Sequence, residues 1–142
     1  MAYCTLQDLI DRYGEPLLRE ITDRGDVAAE AIDATAIDRA IADAGALIDG
    51  FLKPRYALPL NPVPPLVKRL ALTIAVYEAH ASVAGDKVRR DYDDALKLLG
   101  QISSGAVKLD ANGLEPASSG ANGARITDRD RPFTADNLKG YI

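Results

Sequence analysis

The stretch PLVKRLALTIAVYEAHASV, residues 65–83, carries apolar side chains on more than one face of a helix. A helix that is apolar on most sides is buried on most sides. We therefore predict that this segment is the central helix of the fold, beginning near Pro65 and ending at about Val83. Leu70 and Ile74 should lie in the middle of the core.

A long helix is predicted on either side of the central one. The upstream helix should have Thr35 as its N-cap and should end at Pro54. Its apolar seam recurs at helical spacing: Ile37, Ile41, Ala44, Ile48 and Phe51. The downstream helix follows Gly85 and should be capped by Asp86. Its outer face carries three acid–base pairs four residues apart, namely Lys87–Asp91, Arg89–Asp93 and Arg90–Asp94.

The first 33 residues predict two short helices and a polar loop. Thr5 and Asp8 have the spacing of a capping box, and Pro16 can open the second helix after a break at Gly14. The loop from Thr22 to Asp33 is acidic, but its acids do not have the spacing of a calcium loop. An acidic turn is the favoured interpretation.

Residues 54–65, PRYALPLNPVPP, contain five prolines in twelve positions. Neither a helix nor a central strand tolerates that many, so an extended, stiff connector is predicted. Its apolar side chains suggest that it packs along the bundle or against a neighbouring subunit. Arg55, Tyr56 and Leu58 are the candidate interface residues here.

The C-terminal part changes in character. Residues 110–124 are rich in Gly, Ser, Ala and Asn and predict a flexible linker. Residues 125–142 regain bulky side chains and predict a docking arm. Its candidate interface residues are Arg131, Phe133, Leu138 and Tyr141. The predicted fold is thus all-α: a bundle of about four main helices over 1–109, followed by the linker and the arm.

The sequence offers little for catalysis. His80 is the only histidine and Cys4, at a mobile N-terminus, the only cysteine, so nucleophile–base pairs and cysteine metal clusters have no partners. The acids Asp91, Asp93 and Asp94 could suggest a metal site, but each already has a basic partner one turn away. We predict a non-enzymatic protein without metal or cofactor.

Charge and hydropathy bear on partners and location. The net charge of −4 and the pI of about 4.9 argue against nucleic-acid binding, which usually needs a basic face. The N-terminus lacks a signal region, and no stretch approaches the 18 apolar residues expected of a membrane span. The cytoplasm is the expected location.

Several blocks of sequence together resemble the Mu-like prophage proteins of the DUF1320 family. They are the N-terminal Tyr3-Cys4-Thr5, Asp49-Gly50-Phe51-Leu52, Arg55-Tyr56-Ala57-Leu58-Pro59-Leu60, Val63-Pro64-Pro65-Leu66, Asp91-Tyr92, and the C-terminal Arg131-Pro132-Phe133-Thr134 with Leu138-Lys139-Gly140-Tyr141. The block RYALPL followed by VPP is the most specific of them.

The resemblance implies a head–tail connector (adaptor) subunit of a tailed phage. Such subunits form a ring under the portal protein, commonly of twelve copies, and a C-terminal arm reaches onto the portal. The protein would then lie in the host cytoplasm during assembly and in the virion neck afterwards, and its partners would be itself, the portal and other neck or tail proteins.

Two alternatives remain open. In the same setting, the chain could be a tail-completion or neck protein that contacts the tail tube. In a different class, it could be a small cytoplasmic regulator whose bundle binds another protein. The regulator should be a monomer or dimer, whereas the connector must self-associate, so the mass at high concentration separates them.

Overall fold

The computed structural model describes residues 1–110, which form five helices and no strand. The helices are α1 (Leu6–Tyr13), α2 (Glu15–Thr22), α3 (Ala34–Leu52), α4 (Pro65–Glu78) and α5 (Asp86–Ser104). The predicted all-α bundle is confirmed. The predictions of a linker and of an arm at 125–142 fall, apart from residue 110, outside the described residues.

The pair α3 and α4 forms the centre of the bundle. Helices α1 and α5 each contact both members of this pair. The prediction that α4 is central is confirmed, since Leu70 is 4% exposed and Ile74 is fully buried. Arg55, just after α3, lies against Gly105, just after α5, so α3 and α5 finish at the same end of the bundle.

The start of the chain is held more firmly than predicted. The capping box of Thr5 and Asp8 is present, but Cys4 is buried rather than mobile. Residues 1–3 pass over α3 at Gly45, where a Cβ would overlap the carbonyl oxygen of Met1. The Tyr3 hydroxyl donates to the Asp49 carboxylate close by. Placing Cys4 at a mobile N-terminus was therefore wrong.

Three helix boundaries differ from the prediction. Asp33, not Thr35, is the N-cap of α3, because its carboxylate accepts a bond from Ala36 N at 3.1 Å. Gly85 precedes α5, so Asp86 is its first residue. Helix α4 ends at Glu78 rather than Val83, since the N–H of Ala81 donates to the carbonyl of Ile21 at 2.8 Å.

The bundle has two ends that differ in content. The connector end consists of residues 53–64 together with 105–110, where α3 and α5 finish and α4 begins. The loop end consists of residues 23–33 and 79–85, and the Ala81–Ile21 bond joins the second of these loops to the end of α2. Helix α3 has 19 residues, so the ends are about 28 Å apart at 1.5 Å per residue.

Candidate interaction site at the connector end

The connector folds onto the end of α3 instead of crossing to α4 as a free linker. The backbone N–H groups of Arg55 and Tyr56 donate to the Leu52 carbonyl at 2.9 and 2.8 Å. Tyr56 is 3% exposed and Leu60 is fully buried. Of the two predicted packing modes, the structure shows the first, along the protein's own bundle.

The chain reverses direction directly after α5. Gly105 has φ +82°, a conformation that favours glycine, and its N–H donates to Ile102 O at 3.1 Å. A Cβ at Gly105 would overlap the guanidinium of Arg55, so that group lies against the turn. Val107 N then donates to Gln101 O at 3.1 Å and completes the reversal.

A long-range hydrogen bond fastens the reversed chain to the connector. Leu109 is buried, and its N–H donates to the Tyr56 hydroxyl at 3.1 Å. This bond joins residues 53 positions apart and satisfies a buried backbone donor. It fixes the point from which residues 111–142 leave the described part of the chain.

The structure places the predicted interface residues in three different situations. Tyr56 belongs to the core and has little surface to offer a partner. Arg55 and Leu58 are half-buried at the surface of the connector end. Arg131, Phe133, Leu138 and Tyr141 lie outside the described residues. The connector end therefore unites two of the predicted residues with the root of the predicted arm.

Sequence reasoning missed Gly105 and Leu109 as parts of this site. Neither residue belongs to a recognisable motif, because Gly105 is a single glycine after the last helix and Leu109 a single apolar residue beyond it. A signal was present in the tyrosine, because a buried Tyr hydroxyl usually needs a hydrogen-bond partner. Which backbone group supplies it depends on the tertiary fold and is not encoded locally.

The two residues weighed for nucleophilic chemistry are both held in structural contacts. Burial raises the pKa of the Cys4 thiol to about 11; the nearby Asp8 carboxylate raises it further and Lys68 opposes this. His80 lies just after α4, half-buried, with Nδ1 2.6 Å from the carbonyl oxygen of Val76. Neither arrangement activates a nucleophile.

Asp8 links α1 to α4 through an ion pair. Its carboxylate lies 2.7 Å from Lys68 Nζ and also accepts bonds from the N–H and hydroxyl of Thr5. The Lys68 ammonium, ahead of the Thr5 bonds, holds the pKa of this carboxyl below its usual range. The contact is structural and joins the N-terminal helix to the central one.

Asp23 holds the 23–33 loop through hydrogen bonds to its backbone. The Asp23 carboxylate accepts bonds from Gly25 N and Ala29 N, both at 3.1 Å. The buried Thr22 hydroxyl donates to Leu18 O at 2.8 Å and accepts from Asp33 N at 3.3 Å. Thr22 is thus the last residue of α2 rather than the first of the loop.

Within residues 1–110, no group of three or more His, Cys, Asp or Glu side chains could hold a metal ion.

The charged face of α5 differs in detail from the prediction. Lys87 pairs with Asp91 at 2.5 Å, as expected. Asp94 pairs with Lys97 at 3.2 Å instead of with Arg90. In the part of the chain that the structure describes, Arg89 and Asp93 do not form the predicted pair.

Across residues 1–110, none of the helices has the length and apolar character needed to cross a membrane.

The comparisons with known proteins all identify proteins of phage Mu or of a Mu-like prophage. The model of the family described as Bacteriophage Mu, Gp36 matches residues 3–128. The chain is 31% identical over 140 residues to the Mu-like prophage FluMu protein gp36 of Haemophilus influenzae, covering 99% of this chain and 98% of that protein. It is also 31% identical over 142 residues to gene product J of Escherichia phage Mu, covering both chains completely. The resemblance predicted from the sequence blocks is confirmed.

Proposed function

Because the chain belongs to the Bacteriophage Mu Gp36 family, we propose that it is a structural subunit of a tailed-phage head–tail connector. In this proposal, copies form an oligomeric ring between the portal protein and the tail, and residues 125–142 act as the docking arm. The role is non-enzymatic and requires neither metal nor cofactor.

The observation that carries the proposal is the construction of the connector end. Tyr56, Gly105 and Leu109 hold the chain so that everything after residue 110 starts from one defined point. A fixed starting point defines the region that the arm can reach, because the predicted linker of 15 residues has a root-mean-square span of about 20 Å. The Arg55 guanidinium lies against Gly105, beside that starting point, and Leu58 is half-buried on the same connector, so both can add to the same interface.

The two ends of the bundle differ, which suits a subunit that contacts the portal at one end and a tail-side protein at the other. Opposite the connector end, Val27 and Val83 are 82% and 96% exposed. Val27 lies in the loop after α2 and Val83 in the loop after α4, and the Ala81–Ile21 bond joins the second loop to the end of α2. An apolar side chain this exposed on each of two adjacent loops fits a second contact, on the far side from the arm.

The test is removal of residues 125–142, followed by purification with the portal protein of the same phage. We expect the truncated chain to lose at least about 100-fold in portal affinity, since two or three aromatic or leucine anchors are removed at about 2 kcal/mol each. The melting temperature should change little. Portal binding equal to that of the full chain contradicts the docking role of the arm.

A matched control separates the arm from the connector end. Leu58→Ala changes a half-buried side chain of the described site without touching the arm. If it weakens portal binding while the melting temperature stays within a few degrees, the connector end contributes directly. Unchanged portal binding would mean that the arm, and not Leu58 of the connector end, contacts the portal.

The regulator alternative predicts a different result in the same preparation. A regulator would remain a monomer or dimer and would not bind the portal. A tail-completion protein would bind tail components in place of the portal, so parallel purification with tail proteins distinguishes it.

A further inference from the structure

The two ends of the bundle carry opposite charge. The loops of the loop end hold four acids and one base, a formal charge of −3: Asp23, Asp26, Glu30 and Asp33 against Arg24. The segments of the connector end hold three bases and one acid, a formal charge of +2: Lys53, Arg55 and Lys108 against Asp110. The ends lie about 28 Å apart, well beyond the Debye length of about 8 Å at physiological salt. Within one copy, the two sets of charge therefore do not neutralise each other.

Local structure accounts for only part of the acidic charge. Asp33 caps α3, and the Asp23 carboxylate accepts two backbone bonds of its own loop. Asp26 and Glu30 lie outside any helix and are exposed. In the part of the chain that the structure describes, neither side chain enters a hydrogen bond or an ion pair. Helix capping and loop structure therefore leave these two acids unexplained.

The tip of the 23–33 loop presents an apolar side chain between these two acids. Val27 is 82% exposed. The bonds of Asp23 reach the N–H groups of Gly25 and Ala29, on either side of the tip, and constrain its backbone. A segment that is already ordered loses less conformational entropy when it binds. The loop end thus offers an ordered apolar contact flanked by negative charge.

The connector end offers a surface that complements this tip. Leu58 and Val63 are half-buried, and three prolines of the same segment are exposed: Pro54, Pro59 and Pro62. Lys53 directly precedes the first of these prolines and is exposed. It forms none of the ion pairs found within residues 1–110. An apolar surface beside an unpaired cation matches an apolar tip beside unpaired acids in both polarity and charge.

We propose that the loop end of one copy of this chain docks on the connector end of a second copy. Val27 contacts the apolar surface around Leu58, and Asp26 and Glu30 approach Lys53. The same copy cannot make this contact, because its two ends lie at opposite ends of α3. A second copy always supplies the matching surface, since both surfaces belong to one chain. The contact joins copies that have not bound the portal, and it goes beyond the proposed function because it requires no portal.

Disulfide trapping between mixed copies tests the proposal directly. Cys4→Ala removes the natural thiol in every copy. One population carries Ala28→Cys, at an exposed position beside Val27. The other carries Ala57→Cys, at an exposed position beside Leu58, activated as a mixed disulfide with thionitrobenzoate. Attack of the first thiolate on the activated sulfur joins the two chains and releases thionitrobenzoate, so the released chromophore measures the rate of linking. The product has twice the mass of the 15.2 kDa chain.

We expect Ala28→Cys to react at least about 10-fold faster than Ala42→Cys, a matched exposed position in the middle of α3, in about 0.01 M salt, where the Debye length is about 30 Å. In about 1 M salt, where it is about 3 Å, the difference should disappear. Equal rates for the two positions at low salt overturn the proposal. So does a faster rate that high salt leaves unchanged.

Charge reversal identifies the surfaces that meet. Lys53→Glu in the activated copy should remove the rate difference, whereas Arg39→Glu, an exposed arginine on the side of α3, should not. Adding Asp26→Lys and Glu30→Lys to the thiol copy should then recover part of the rate, because opposite charges face each other again. Melting temperatures within a few degrees of the natural chain verify that the variants fold. If Lys53→Glu has no effect on the rate, the connector end is not the docking surface and the proposal is wrong.

These outcomes are separate from the test of the proposed function. If trapping fails while removal of residues 125–142 still abolishes portal binding, the connector role stands and copies do not meet end to end. If trapping succeeds and the portal does not bind, the end-to-end contact stands and the connector role falls.

Discussion

Cys4 illustrates how one residue's setting decides its chemistry. Its thiol is buried beneath the first residues of the chain, and its pKa is raised from 9.0 to about 11. We expect the folded protein to react with a thiol reagent at pH 8 at least roughly 100-fold more slowly than the urea-unfolded protein, because the thiolate is the reacting form. The unfolded chain is the control. Similar rates in both states would show that Cys4 is exposed.

Leu70 and Asp93 offer a comparison between a core and a surface position. Leu70→Ala should lower the free energy of unfolding by about 2–5 kcal/mol, because it leaves a cavity where α4 meets its neighbours. Asp93→Ala should lower it by only about 0.5 kcal/mol or less, since the carboxylate is exposed and makes none of the ion pairs formed within residues 1–110. Urea denaturation measures both. Equal losses would mean that α4 is not the central helix.

At the scale of elements, the Asp8–Lys68 pair makes the attachment of α1 to α4 depend on pH. The pKa of Asp8 is lower in the folded state, so its contribution is present above the unfolded pKa of about 3.9 and is lost as the pH falls through the folded value. Asp8→Asn should therefore be less stable than the natural chain at pH 7, and the difference should shrink below about pH 4. Asp38→Asn, at an exposed position on α3, is the control. A difference that does not change with pH would contradict this role of the pair.

The Tyr56 hydroxyl joins the connector to the reversed chain after α5. Tyr56→Phe keeps the ring but removes the acceptor of the Leu109 N–H, so a buried donor is left unsatisfied at a cost of about 1–3 kcal/mol. Amide hydrogen exchange should accelerate at Leu109 and remain unchanged in the middle of α3. Tyr13→Phe, at a half-buried tyrosine of α1, is the matched control. Unchanged exchange at Leu109 would show that the hydroxyl does not hold this part of the chain.

The sequence predicts elements well where the signal is periodic or stereochemical. The start of the central helix at Pro65, the Thr5 capping box and the break at Gly14 all lie where expected. Predictions failed where a distant contact decides the result. Helix α4 stops early because Ala81 bonds to Ile21, and Cys4 is buried because Gly45 lets the first residues pass close to α3. Neither partner can be deduced from local spacing.

At the scale of the whole molecule, the predicted bundle is confirmed, whereas the candidate site was predicted only in part. The apolar residues of the connector suggested a packed segment, and the structure shows Tyr56 and Leu60 in the core. What periodicity could not supply is the junction of the connector with residues 105–110. That junction fixes the point from which residues 111–142 begin. The bundle is therefore proposed to hold an arm that binds neighbouring subunits and the portal.

The mass of the assembly tests this claim most directly. Native mass spectrometry of the full chain, at high concentration and together with the portal protein, should show a ring of many copies of the 15.2 kDa subunit. By resemblance to phage adaptors, twelve copies are expected. The chain lacking residues 125–142 should remain a folded monomer in the same mixture. A full chain that stays monomeric or dimeric at every concentration, with the portal present, would contradict the account.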